Sequence, residues 1–266
     1  MTVNNQQPGN DNLYFDLQAD FGITKHMGGQ RATRELVDLC HIDKTKSLLV
    51  IGCGIGSSLV YIARQFGCQI TAVDISEGMI ARAQERVSKA GLDGKVILKV
   101  ADAQKLPFED DRYDAAICES VTAFLPDKQK GVNEFARVTK PGGYVGINEV
   151  TWVELPSPEL EEYARIIMAG AKFLESDGWR SLLINAGLTE LEVTSGKLKL
   201  GDQFSQEMKL SDMGDRFKAM GRFIKGVFTN PAYRKFSRQI LSQPGMMFKF
   251  TSHIGSGMYV GRKPFS

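Results

Sequence analysis

Histidine is nearly absent from this chain: His26, His41 and His253 are the only three in 266 residues. A multi-histidine metal centre would need all three to converge. Cysteine is sparse too, with four (Cys40, Cys53, Cys68, Cys118), no C-x-x-C pair and no histidine at zinc-finger spacing. Cys40 stands beside His41, but two adjacent side chains do not make a metal site, and no metal is expected. The thiols read as buried and reduced, which suits a cytoplasmic protein. No apolar run approaches the roughly 18 residues that a membrane span requires. Met1 to Asn12 is polar and uncharged up to Asp11, without the basic and apolar regions of a secretory signal. Charge of one sign is also lacking. The 33 Lys+Arg against 31 Asp+Glu leave +2, which excludes a uniformly basic, nucleic-acid-coating protein.

What is present is ordinary in amount and uneven in place. Hydrophobic residues reach 42%, enough for a sizeable core in one large domain or a domain with an elaboration. Residues 195–266 hold 13 Lys+Arg and 4 Asp+Glu, leaving 20 against 27 for residues 1–194.

The pattern of apolar residues alternates between two periods. Arg31 to Cys40 has the spacing of a short amphipathic helix. Ser47 to Ile51 is a continuous apolar run, as in a strand buried on both faces. Strands then follow at Gln69–Asp74, Lys95–Val100, Tyr113–Cys118 and Tyr144–Asn148. Between them, helical spacing recurs at Leu59–Phe66, Glu77–Ala90 and Asp127–Val138, closed by Gly67, Gly91 and Pro141-Gly142-Gly143. Such alternation implies a doubly wound α/β domain with parallel strands and helices on both faces. Pro156–Ala171 reads as an extra helix, and Ser176 as the N-cap of a helix through Ala186. Leu188–Val193 and Ile254–Arg262 read as the last two strands. About 60 residues separate those two strands, far beyond a hairpin loop of about 2–5, so an insertion with structure of its own is expected there.

Gly52-x-Gly54-x-Gly56 lies at a strand–helix turn, where glycine lets backbone approach a ligand and the helix N-terminus offers unpaired N–H groups. Asp74 ends the next strand, where a carboxylate can accept both hydroxyls of a ribose. Together they point to a nucleoside-bearing ligand. A dinucleotide fingerprint would need glycine at position 57, which is Ser57. Asp102, after the third strand, is placed to meet the exocyclic amine of an adenine, and Ile75 offers an apolar face for the ring.

The segments L-L-V-I-G-C-G-I-G (48–56), A-V-D-I-S (72–76), V-A-D-A-Q-K-L-P-F (100–108), Y-D-A-A-I-C-E-S (113–120) and R-V-T-K-P-G-G-Y (137–144) resemble the successive motifs of class I S-adenosylmethionine-dependent methyltransferases. They are most similar to the small-molecule enzymes of the ubiquinone/menaquinone-biosynthesis type. The resemblance implies a seven-stranded, mostly parallel Rossmann-like sheet, with a helical insertion before the last strand. It also implies S-adenosyl-L-methionine as cofactor and S-adenosyl-L-homocysteine as product. By it, Gly52, Cys53, Gly54 and Gly56 line the methionine moiety, Asp74 holds the ribose, Ile75 packs on adenine, and Asp102 and Ala103 read its edge. Glu119 falls where cofactor and acceptor meet. One departure stands out: the family usually has an acid where this chain has Val50.

The same resemblance divides the chain into a disordered tail (1–12), an N-terminal lid segment and helix (13–46), a cofactor-binding core (47–194, with a helical insertion at about 154–172), a helical cap (195–253) and the last strand (254–266). Methyl transfer from a sulfonium mainly requires alignment and exclusion of water, and a base only when the acceptor arrives protonated. Glu119 and His26 are the candidates for catalytic work. Ser120, Thr122, Glu149, Trp152, Met27, Tyr14 and Phe15 are candidates for lining the pocket or packing near it. Asn230-Pro231-Ala232-Tyr233 imitates the box of amino-methyltransferases but stands in the wrong place, since that box follows the fourth strand. Met208, Met213, Phe217, Met220, Phe223, Ile224 and Phe228 recur at helical spacing, interleaved with Arg216, Lys218, Arg222 and Lys225. The apolar set reads as a helix packing on the main domain or as part of a pocket for an apolar or aromatic acceptor, and the basic set as facing solvent, recruiting an anionic acceptor or contacting a second subunit of a homodimer. The expected partner is a small-molecule acceptor, with neither nucleic acid nor membrane. The alternatives are a macromolecular methyltransferase using the basic C-terminal region, or a non-catalytic regulatory protein that binds the cofactor.

Overall fold

In the first strand Leu48 and Val50 turn to one side and Leu49 and Ile51 to the other, and each pair enters a separate apolar core. The computed structural model describes residues 26–197, 221, 224–231, 233–234, 237–238 and 243–265. The strands are β1 (Ser47–Ile51), β2 (Gln69–Asp74), β3 (Val96–Val100), β4 (Tyr113–Glu119), β5 (Thr139–Trp152), β6 (Leu174–Glu175), β7 (Thr189–Lys197) and β8 (Ile254–Arg262). The sheet runs β3-β2-β1-β4-β5-β8-β7. The first five strands pair in parallel, whereas β8 lies antiparallel to both β5 and β7. The expected doubly wound, mostly parallel sheet is therefore present. Its strand count is corrected to eight, because the short β6 pairs in parallel with the end of β5 at Thr151–Leu174 and Trp152–Glu175.

The helices are α1 (Gly29–Leu39), α2 (Ser57–Phe66), α3 (Glu77–Lys89), α4 (Lys128–Val138), α5 (Pro158–Ile167), α6 (Ser176–Asn185) and α7 (Pro244–His253). One core joins α1, α2 and α3 to β1 and β2 through Leu36, Leu59, Ile62, Ala83 and Val87. The other joins α4 to α7 to the opposite face through Phe135, Tyr163, Trp179 and Phe250. Ser76 caps α3 by accepting from Met79 N at 3.3 Å, and Asp127 caps α4 by accepting from Lys130 N at 2.9 Å.

Three expectations need adjustment. Ser176 is the first residue of α6 and Glu175 holds the N-cap position. The fifth strand is much longer than Tyr144–Asn148, because Pro141-Gly142-Gly143 forms an irregularity inside it rather than a terminator after α4. There the pairing jumps from Tyr113–Thr139 to Ala115–Tyr144, and Gly142 N donates to Lys263 O at 2.8 Å. The seventh strand runs to Lys197, past its expected end at Val193, because β8 continues to pair with it there. The residue 1–12 tail, Tyr14 and Phe15 lie outside the described residues, as do most of the insertion's Met, Phe and basic positions. Of that set Ile224 and Phe228 are described and exposed.

Candidate active site

The parallel strands β1, β2 and β4 all end on one edge of the sheet, and their C-terminal loops meet there. The turn after β1 is drawn against β2, as Gly52 N and Cys53 N both donate to Val73 O, at 2.8 and 3.0 Å. Gly54 N donates to Asp74 Oδ2 at 2.9 Å, and Ser76 N to Asp74 Oδ1 at 3.0 Å. One carboxylate thus bridges the glycine turn and the start of α3. Burial pushes the Asp74 carboxyl above its ordinary value, opposed by the N–H groups of Ser76 and Gly54.

Two glycines are required by space. Gly52 has φ +72°, and a Cβ there would run into the side chain of Val121 beyond β4. Gly56 has φ +79°, and a Cβ would lie 3.0 Å from that of Ala83 on α3. Cys53 is buried beside this turn, and desolvation pushes its thiol up to about 12, which leaves it an inert neighbour. Ile75, next to Asp74, is 72% exposed, an apolar face at the mouth of the cradle. After β3, Asp102 Oδ1 accepts from Gln104 N at 2.8 Å, an Asx-type turn that fixes the loop around buried Ala103. Val50 is buried in the core formed with α1 and α2, so an apolar setting surrounds the position where an acid was anticipated.

A polar cluster lies at the end of β4. Thr33 on α1, fully buried, has Oγ1 at 3.1 and 3.2 Å from the two oxygens of Glu119 and 2.8 Å from His26 Nε2. His26 Nε2 is 3.8 Å from Glu119 Oε1. Asn148 on β5 donates from Nδ2 to Met27 O at 2.9 Å and approaches Glu119 Oε1 at 3.4 Å. Ser120 adopts φ +55°, uncommon for a residue with a side chain, and its Oγ accepts from Met27 N at 3.4 Å. The segment bearing His26 and Met27 is thereby fastened over the ends of β4 and β5.

Glu149 behaves differently from its neighbours. It is buried, and its Oε1 accepts from the backbone N–H groups of Val121, Thr122 and Ala123 at 2.9, 2.6 and 3.4 Å. It caps the 3-10 turn Thr122–Phe124 from below rather than lining a pocket. Among the described residues its Oε2 has no hydrogen-bond partner, and burial pushes the carboxyl up to about 7. Trp152 is likewise buried, packed edge-on against Phe173 and Phe250 with ring centroids 5.7 and 6.0 Å away.

Residues 49–147 match the family described as "Methyltransferase domain". A protein of Haemophilus influenzae is 33% identical over 194 residues, which cover 71% of this chain and 77% of that protein. The chain belongs to the class I S-adenosylmethionine-dependent methyltransferases. The methyltransferase GfsG of Streptomyces halstedii is 30% identical, covering 62% of this chain and 61% of its own length. The 27-O-demethylrifamycin SV methyltransferase of Amycolatopsis mediterranei is 28% identical, covering 67% and 66%. The match therefore spans slightly under two thirds of those two relatives. Among solved structures, a [4+2]-cyclase, SpnF, superposes with a TM-score of 0.75 at 21% identity over 97% of this chain and 98% of that one. A methyltransferase of Geobacter sulfurreducens in complex with S-adenosyl-L-homocysteine gives a TM-score of 0.72 at 19% identity, over 95% and 98%. At these identities the structures speak for the fold. The cofactor of the family is S-adenosyl-L-methionine.

Within this methyltransferase fold, Gly52, Cys53, Gly54, Gly56, Asp74 and Ile75 are gathered in one cradle by the bonds just described. Glu119 and His26 come together at the end of β4. Two members of that cluster, Thr33 and Asn148, were not singled out in the sequence. Thr33 follows His26 by seven residues, but nothing in that spacing announces a carboxylate from the fourth strand. Among the described residues, no three His, Cys, Asp or Glu side chains gather as a metal site, and no helix is long and apolar enough to cross a membrane.

Proposed function

We propose that this chain binds S-adenosyl-L-methionine in the cradle formed by the turn after β1 and the ends of β2 and β3, and transfers its methyl group to a small-molecule acceptor. The observation that carries the reading is the Gly54–Asp74 bond, which sets a ribose-accepting carboxylate against a glycine turn with space for backbone approach. The cradle suits the cofactor: Gly52 and Gly56 hold positive φ angles that only glycine adopts freely, which leaves the turn as bare backbone, and exposed Ile75 offers an apolar face for adenine. Asp102 and Ala103, in the turn after β3, are assigned to the edge of that base. When bound, the sulfonium supplies an electrophilic methyl group. The chain's own residues hold the cofactor, exclude water and orient the acceptor near Glu119 and His26. Four buried, unpaired thiols suit work in a reducing cytoplasm.

The basic balance of residues 195–266 favours, as a second reading, a macromolecular acceptor. Two measurements separate the readings. Calorimetry should show S-adenosyl-L-homocysteine binding and NAD not binding; silence toward the former removes the cofactor assignment. A labelled-methyl screen should place label in small metabolites, whereas label only in RNA or protein would favour the second reading. Binding without transfer to any acceptor would leave a regulatory protein.

A further inference from the structure

We propose that His26 is a catalytic base acting through Nδ1, oriented by a Thr33–Glu119 relay, and that the acceptor it serves reacts through a hydroxyl group. The inference rests on the cofactor reading above and adds the chemistry of the acceptor to it. Thr33 Oγ1 carries one proton and lies within reach of two carboxylate oxygens and one imidazole nitrogen, with the Gly29 carbonyl farther off at 3.5 Å. An ionised carboxylate only accepts. If Thr33 gave its proton to His26, its lone pairs would face Glu119 at 3.1 Å, buried and opposed. The consistent assignment has Thr33 donating to Glu119 and His26 Nε2–H donating to Thr33. That leaves Nδ1 as the unprotonated nitrogen, and it has no hydrogen-bond partner among the described residues. An imidazolium formed by protonation at Nδ1 would have the Glu119 carboxylate 3.8 Å from Nε2. This is the logic by which a buried carboxylate fixes the tautomer of a catalytic histidine, here with a threonine between the two.

The position of the ring follows from its neighbours. Met27 is tied to Ser120 and Asn148, and Val121, two residues after Glu119, borders the glycine turn at Gly52, so His26 belongs to the loop cluster beside the cofactor cradle. A base in that place helps one class of acceptor most. A thiol ionises near neutral pH, with an ordinary value of about 8.5, and an amine attacks through its lone pair before losing a proton. Among these heteroatom acceptors a hydroxyl gains most, since a phenol ionises only near about pH 10 and an aliphatic alcohol higher still. In the step, the acceptor oxygen forms its bond to the methyl carbon as the methyl–sulfur bond breaks with its electron pair going to sulfur. The hydroxyl proton passes to His26 Nδ1 and later to water, giving a methyl ether and the neutral thioether.

The test reads the tautomer directly. Nitrogen-15 resonances of the full chain, assigned by difference from His26→Gln, should show protonated Nε2 and unprotonated Nδ1 with and without S-adenosyl-L-homocysteine. Thr33→Val should abolish that preference and Thr33→Ser should restore it. A protonated Nδ1 in the wild type, or a tautomer indifferent to Thr33→Val, overturns the relay. Calorimetric binding of S-adenosyl-L-homocysteine to each variant distinguishes this failure from failure of the cofactor reading. Labelled transfer to a panel of phenols, polyhydroxylated aliphatics, amines and thiols should favour the hydroxylated members and fall about 10²–10⁴-fold in His26→Gln. Label confined to amines or thiols, or absent from every hydroxylated member, overturns the acceptor class.

Discussion

Gly54 donates its backbone N–H to Asp74 Oδ2 at 2.9 Å, which makes the glycine turn and the acid of the neighbouring strand a single unit. The other oxygen, Oδ1, accepts from Ser76 N, so both halves of the carboxylate hold backbone. Asp74→Asn must therefore set an amide NH₂ against one of two N–H donors. We expect it to weaken S-adenosyl-L-homocysteine binding about as much as Asp74→Ala, by about 10–100-fold for lost charged hydrogen bonds. Titration calorimetry checks this. Full affinity in Asp74→Asn would refute the bridging role.

Gly52→Ala meets two penalties, a positive φ and the side chain of Val121. The left-handed backbone alone costs about 1–2 kcal/mol for a residue with a Cβ. Thermal melts should show a marked drop, and the double variant Gly52→Ala/Val121→Ala should regain part of it. No recovery in the double variant would mean that the clash with Val121 is not the limiting contact.

The buried Glu149 predicts a pH dependence of stability. Its carboxyl is raised to about 7 in the folded chain, by burial first. The unfolded chain holds it at an ordinary value of about 4.3, so between these values the folded state carries the extra proton. Stability associated with the protonated form is complete below the lower value and is lost as pH rises through the upper one. The loss is about 4 kcal/mol across that window. Melting temperatures of the wild type should fall relative to Glu149→Gln between about pH 4 and about pH 8, values bracketing about 4.3 to about 7. Parallel curves for the two proteins would contradict the assignment.

Arg137 locks two of the sequence motifs together. Its guanidinium donates to Glu134 at 2.7 and 2.8 Å, to Asp110 at 2.7 Å, and to the carbonyls of Phe108 and Leu106 at 2.8 and 3.1 Å. Glu134 Oε2 in turn accepts from Leu106 N at 2.8 Å. A lysine cannot reproduce this planar fork. Arg137→Lys should cost about 1–3 kcal/mol of stability in denaturant melts while leaving the Asp74 cradle intact. A variant as stable as wild type would show that the fork is ornamental.

Much of this architecture was legible before folding was considered. Five strands and the three helices between them were readable because a strand covered on both faces must be apolar throughout, as at Leu48 to Ile51. The cradle was readable for a related reason: a glycine turn followed at a fixed distance by an acid is a local constraint on backbone and charge. Boundaries were less readable where pairing partners decided them. Pro141-Gly142-Gly143 looks like a terminator in sequence, yet Lys263 and Tyr113 draw its flanks into β5. The antiparallel entry of β8 between β5 and β7 had no local signature either.

The chain by itself determined its doubly wound class and its family, since both reside in periodicity and in short contiguous motifs. Only the tertiary structure decided which polar side chains work together. Glu149 and Glu119 are both acids on adjacent strands and look alike in sequence. Folding buries one beneath three backbone N–H groups and leaves the other facing Thr33 and His26. The physical reason is alternation: successive residues of a strand face opposite sides of the sheet, so register sets their company.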